Sequence, residues 1–148
     1  MAEKTNDKTI LVVDDDPAAC DLMSTVLAKA NYQVLSTFHS RETLTYLKQG
    51  AYLKVDLVIT DLEMPGYGGY SIIKDLQSGI YEQVPVLVVT GRKLDDDTIR
   101  MIEGEPNVKG LLRKPLSVTS FLGKVNGILG VNPATQPAQE TQAEAENP

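Results

Sequence analysis

The chain has 148 residues, 42% of them hydrophobic and 23% charged, which is enough length and apolar content for one domain with a real core. Its 20 acidic residues against 14 basic ones leave a formal net charge of -6, which excludes a nucleic-acid binder that works through a bare basic face. A single cysteine, Cys20, permits no internal disulfide and no Cys/His metal spacing, and no window has the apolar length of a membrane span. The polar opening MAEKTNDKTI has no apolar signal region, so a cytoplasmic chain with no membrane contact is expected.

Residues 1–8 read as a flexible lead. Ile10-Leu11-Val12-Val13 is the first apolar run, and Asp16-Pro17 after it makes a good N-cap and first-turn pair for a helix carrying Ala19, Leu22, Met23, Val26, Leu27 and Ala30. Gln33-Val34-Leu35-Ser36 is the second run, followed by a helix capped by Ser40, carrying Leu44 and Leu47 and ended by Gly50. Residues 55–60, VDLVIT, form the third. A helix with Ile72, Ile73 and Leu76 follows and stops near Ser78-Gly79. Val86-Leu87-Val88-Val89 leads to a helix opened by Asp95-Asp96-Asp97 with Ile99 and Ile102. The last run, residues 108–112, precedes a helix opened by Ser117 or Thr119 and carrying Phe121, Leu122, Val125 and Ile128. Residues 131–148, VNPATQPAQETQAEAENP, hold no Lys or Arg and almost no large apolar group. They read as a disordered tail or a linker, because burial there cannot offset the entropy of ordering. The folded unit is thus 9–130.

Three of the five runs are nearly continuous in β-branched or Leu residues, the pattern of strands covered on both faces. Five strands, each followed by a helix, predict an α/β fold with a parallel sheet and helices on both sides. In such sheets the site lies beyond the carboxyl ends of the strands, where strand order reverses. Those positions hold Asp14-Asp15-Asp16, Asp61, Thr90 and Lys114-Pro115. Taken singly, each has a structural explanation, and Asp16 is read as a helix cap. Taken together they make a chemistry. Converging carboxylates repel unless a cation joins them, and Mg2+ accepts carboxylates, waters and phosphate oxygens. A carboxylate beside that metal can act as a nucleophile toward phosphorus, with Lys114 as a point charge and Thr90 as a hydroxyl donor.

The segments ILVVDDD (10–16), LVITDLEMPG (57–66), PVLVVTG (85–91) and LLRKPL (111–116) resemble the receiver domain of two-component response regulators, over about residues 9–130. The resemblance implies a flavodoxin-like (βα)5 three-layer fold with strand order 2-1-3-4-5. It implies Asp61 as the acceptor of a phosphoryl group from a histidine kinase or phosphotransfer protein. Mg2+ would be held by Asp15 directly, by Asp14 through water, and by Asp61 and the main-chain carbonyl of Glu63. Lys114 would pair with the phosphoryl oxygens, Thr90 would move toward them, and the Lys114-Pro115 peptide would be cis. Output would pass to a protein partner through the face of the fourth helix, fifth strand and fifth helix. Such a chain catalyses only its own phosphorylation and dephosphorylation.

Departures from that pattern matter too. Leu111 stands where an aromatic switch residue is usual and reads as a core leucine. Gly91 replaces a commoner alanine, and EGEPN (103–107) an unlike turn. Glu63 and Arg92, two residues after Asp61 and Thr90, are expected to meet as a gate over the site. Cys20 is expected to pack, His39 to be a surface side chain, and Tyr67 and Tyr70, near Asp61, to pack or line the loop. Two rival functions stay in view. A pseudo-receiver would signal without phosphorylation, but it normally lacks one of the Asp, Thr or Lys groups present here. Asp14-Asp15-Asp16 also resembles the motif of haloacid-dehalogenase-type phosphatases, although Ala18 is not the Thr or Val that motif wants and Asp61 would go unexplained.

Overall fold

The computed structural model describes residues 7–38, 54–62, 69–78, 81–91 and 93–131. The expected second helix, together with His39, Glu63, Tyr67, Arg92 and residues 132–148, lies outside the described residues. Helices are therefore numbered here without it.

The elements run β1 (Thr9–Val13), α1 (Pro17–Lys29), β2 (Gln33–Thr37), β3 (Leu57–Thr60), α2 (Gly69–Asp75), β4 (Val86–Thr90), α3 (Asp96–Glu103), β5 (Val108–Arg113) and α4 (Val118–Leu129). All strand pairs are parallel, and the sheet has the order β2-β1-β3-β4-β5. The expected order holds.

Period-two alternation explains the unbroken apolar runs, because each strand feeds two cores at once. Ile10, Val12, Leu57, Ile59, Leu87 and Val89 join one cluster with Met23 and Leu27 of α1 and Phe121 and Val125 of α4. Leu11, Val13, Val58, Val86 and Val88 join the other with Ile72 and Ile73 of α2 and Ile102 of α3. Leu111 packs against this second cluster and Leu112 against the first. Cys20 is buried in the first cluster, and burial pushes its thiol above the ordinary range. It packs, as expected.

Side-chain caps set the helix starts. Asp16, Asp95 and Ser117 accept hydrogen bonds from the backbone N–H groups of Ala18, Thr98 and Ser120. At the far end of α4, Gly130 takes φ 68°, a left-handed turn that a side chain disfavours, and Val131 then donates back to the Asn126 carbonyl. Two details differ from the periodicity. Leu22 is 43% exposed rather than in the core, and β3 starts at Leu57, since Asp56 turns its carboxylate to cap the Thr9 N–H.

Candidate functional site

β1 and β3 are neighbours, while β2 lies on the other side of β1, so strand order reverses between them. A crevice opens there because the helices that follow the strands leave toward different faces of the sheet. Asp14 and Asp61 stand at its lip. Backbone ladders carry both beyond the strands: the Asp14 N–H donates to the Thr37 carbonyl, and the Asp61 N–H to the Val13 carbonyl. Thr90 closes β4, buried, and its carbonyl accepts from the Lys114 N–H at 2.9 Å. Main chain thus ties the hydroxyl-bearing strand end to the lysine-bearing one. Lys114-Pro115 is a cis peptide, as the resemblance implied.

The side chains converge. Ligand oxygens of Asp14, Asp15 and Asp61 lie within 4.8 Å of one another. The Lys114 Nζ donates to Asp61 Oδ2 at 2.8 Å and stands equally far from Asp14 Oδ2 as an ion pair. Asp14 is fully buried and Asp61 nearly so, while Asp15 is exposed. Asp14 Oδ1 accepts from the Asp16 N–H at 2.9 Å, and the enclosed Oδ2 is met by the Lys114 ammonium that Asp61 shares. Burial holds the Asp14 carboxyl above its usual range, against the opposing pull of Lys114 and the Asp16 amide. Burial alone would lower Lys114, yet the two carboxylates outweigh it and raise its affinity for the proton. Lys114 is a firmly charged cation, and its one ammonium pairs with two of the three carboxylates, Asp14 and Asp61.

A further hard cation suits this set. All three donors are carboxylate oxygens, and the single Lys114 ammonium leaves their charge unbalanced. The residues fit Mg2+.

Of the residues singled out from sequence, Asp14, Asp15, Asp61 and Lys114 come together here, with Thr90 tied to Lys114 through the main chain. Leu111 is half-buried in the second core rather than at the crevice, and the gate pair Glu63 and Arg92 lies outside the described residues. Gly91 has room for a methyl group, since a Cβ would meet Lys114 Cδ and Cβ at 3.7 and 3.8 Å. Tyr70 packs against the second core, one of the two roles expected of it. Its hydroxyl donates to Glu105 Oε2 at 2.6 Å, and Lys74 and Gln77 of the same segment hold Oε1. Gln77 also reaches Asn107, whose amide donates to the Ile73 carbonyl. Sequence reading noted the unusual EGEPN turn but missed this clamp on it. Three side chains of one segment facing a lone glutamate give no periodic signal.

The model of the response regulator receiver domain family matches residues 10–126. The response regulator GtcR of Aneurinibacillus migulanus is 30% identical over 62% of this chain and 36% of its own length. The transcriptional regulatory protein AruR of Pseudomonas aeruginosa is 27% identical over 81% of the chain and 48% of its own length. The chain thus spans about half or less of these longer relatives. Protein PilH of the same organism, 27% identical, is covered over 96%. Among solved structures, a response regulator receiver protein from Burkholderia phymatum superimposes with a TM-score of 0.73 at 27% identity, covering 88% of this chain and 99% of that one. The Vibrio cholerae chemotaxis protein CheY4 gives 0.74 at 23% identity over 84% and 100%, a likeness of fold.

Proposed function

The chain belongs to the response regulator receiver domain family, and from that premise we propose that it is a phosphoacceptor in a two-component relay, phosphorylated on Asp61. The observation that carries this reading is the convergence of Asp14, Asp15 and Asp61 within 4.8 Å, with the Lys114 amine 2.8 Å from Asp61 Oδ2.

An Asp61 carboxylate oxygen attacks the phosphorus of a donor phosphohistidine. The new P–O bond forms as the P–N bond breaks, and the electron pair leaves on the imidazole nitrogen, which water or the donor protonates. Asp14, Asp15 and Asp61, with the main-chain carbonyl of Glu63, would hold Mg2+, which when bound would supply charge neutralisation at the phosphoryl oxygens. Lys114 exchanges its bond to Asp61 for one to the arriving group, and the Thr90 hydroxyl donates to a second oxygen. An ion pair of Glu63 with Arg92, each two residues beyond a site residue in sequence, would slow the entry of in-line water. The chain acts on no substrate but itself and its phosphodonor, in the cytoplasm. Output passes to a protein partner on the α3–β5–α4 face, where Met101 and Val118 leave apolar surface exposed.

The test is intact mass after incubation with acetyl phosphate. One added phosphoryl group is expected in the parent with Mg2+, and none with a chelator or in Asp61→Asn. A parent that gains no mass contradicts the proposal and returns the chain to a phosphorylation-independent module.

A further inference from the structure

At the amino-terminal end of the sheet, away from Asp61, a cavity of about 450 Å³ opens between β5 and α4. Pro85, Lys109, Gly123, Lys124, Gly127 and Ile128 line it. Its shape is set locally. Val86 pairs with Val108 but Leu87 with Gly110, so Lys109 is the extra residue of a bulge and its exposed side chain leaves the ladder's regular direction. At Gly110 a Cβ would stand only 2.3 Å from Lys124 Cε, so the missing side chain is the slot in which the Lys124 stem lies across β5. Gly123 and Gly127, one turn apart on α4, face open space in which a Cβ would meet nothing within 4 Å. Those two glycines serve no packing contact.

The charge pattern is as local as the shape. Residues 106–131 contain Lys109, Arg113, Lys114 and Lys124 and no acidic residue, in a chain of net charge -6. Lys109 donates to the Pro106 carbonyl at 3.2 Å, and neither Lys109 nor Lys124 has an acidic partner among the described residues. Residues 132–148 are the reverse, with Glu140, Glu144 and Glu146, no cation, and Ala, Pro, Thr, Asn and Gln making up the remainder.

We propose that residues 132–148 dock back onto this groove of their own chain, acidic side chains on Lys109 and Lys124 and small ones over the glycine floor. The reading goes beyond the phosphoacceptor site and does not depend on Asp61. Reach is ample. Lys124 lies about 10 Å back along the helix from Val131, at about 1.5 Å per residue. The stretch from 132 to Glu140 extends up to about 30 Å. Tethering raises the local concentration of the segment to about the millimolar range, so weak contacts suffice. A docked tail would lie on the face proposed for output and compete with a partner there.

The test uses the full chain, 15N-labelled, with a nitroxide on Ala145→Cys; the buried Cys20 is protected from the reagent. At low salt the amide signals of Gly110, Gly123, Lys124 and Gly127 should lose most of their intensity while those of α1 around Leu22 keep theirs. The loss should vanish in high salt, in the combined Glu140→Gln, Glu144→Gln, Glu146→Gln chain, and in Lys109→Glu with Lys124→Glu, because exposed charge pairs are screened over about 8–10 Å. Loss confined to residues next to Val131, or unchanged by the charge substitutions, overturns the proposal. So does equal loss when an unlabelled nitroxide chain is mixed with a 15N chain lacking it, which makes a second copy the occupant.

Discussion

Adding Mg2+ should raise the melting temperature of the parent chain, and Asp14→Asn should remove most of that rise while stabilising the metal-free protein. The first effect is mass action. For a site half-saturated near 1 mM, about 10 mM Mg2+ contributes RT ln 11, or about 1.4 kcal/mol. A domain of about 120 residues unfolds with an entropy of about 250 cal/mol/K, so the expected shift is about 5 °C. The second effect follows from Asp14 itself. Its carboxylate is fully buried, its Oδ2 shares the one Lys114 ammonium with Asp61, and burial holds its pKa up. Asn keeps the acceptor for the Asp16 N–H and removes the charge, and Lys114 retains Asp61. A gain of about 1 kcal/mol, or about 4 °C, is expected without metal. A carboxyl raised on folding holds its proton more tightly in the folded state, so its destabilising charge acts above the folded pKa. It disappears as pH falls through that value toward the ordinary value of about 3.9. The advantage of Asp14→Asn should therefore be full near pH 7 and shrink on acidification. Differential scanning fluorimetry with Mg2+ and with a chelator measures all of this. A parent melting temperature unmoved by Mg2+, or a metal-free Asp14→Asn less stable than the parent at pH 7, refutes the reasoning.

Other expectations are independent. Tyr70→Phe removes the donor to Glu105 and should cost about 1 kcal/mol in urea unfolding; a neutral result would mean Lys74 and Gln77 hold the turn alone. Gly91→Ala places a methyl in ordinary contact with Lys114 and should leave stability within about 0.5 kcal/mol, which a larger loss in the same assay would disprove. Glu63→Ala and Arg92→Ala should each speed loss of the Asp61 phosphoryl group while changing stability by no more than about 1 kcal/mol. If hydrolysis rates match the parent in both, the gate fails and the acceptor stands.

The alternation of Ile10, Leu11, Val12 and Val13 between two cores is legible because a strand covered on both faces admits no polar residue. The site is legible because the ends of parallel strands in this topology put Asp14, Asp61, Thr90 and Lys114 beside one crevice, whatever their separation in sequence. The rest depends on register and direction. Lys109 reads as an ordinary strand residue, and only the pairing of Leu87 with Gly110 rather than Lys109 makes it a bulge. Leu22 sits at helical spacing with Met23 and Val26, yet the packed stripe on α1 is narrower than the apolar one. Tyr70 lies close to Asp61 in sequence, but its hydroxyl finds Glu105, 35 residues away, which no local pattern records.

The claim that Asp61 is the phosphoacceptor is tested most directly by locating the acyl phosphate. After incubation with acetyl phosphate and Mg2+, borohydride reduction converts a phosphorylated aspartate to homoserine, and tandem mass spectrometry of the digest reads the position. Homoserine at residue 61, absent when the chelator is present, is the predicted result. Homoserine at Asp14 or Asp15 instead, or at no position in a chain that retains its fold, contradicts it.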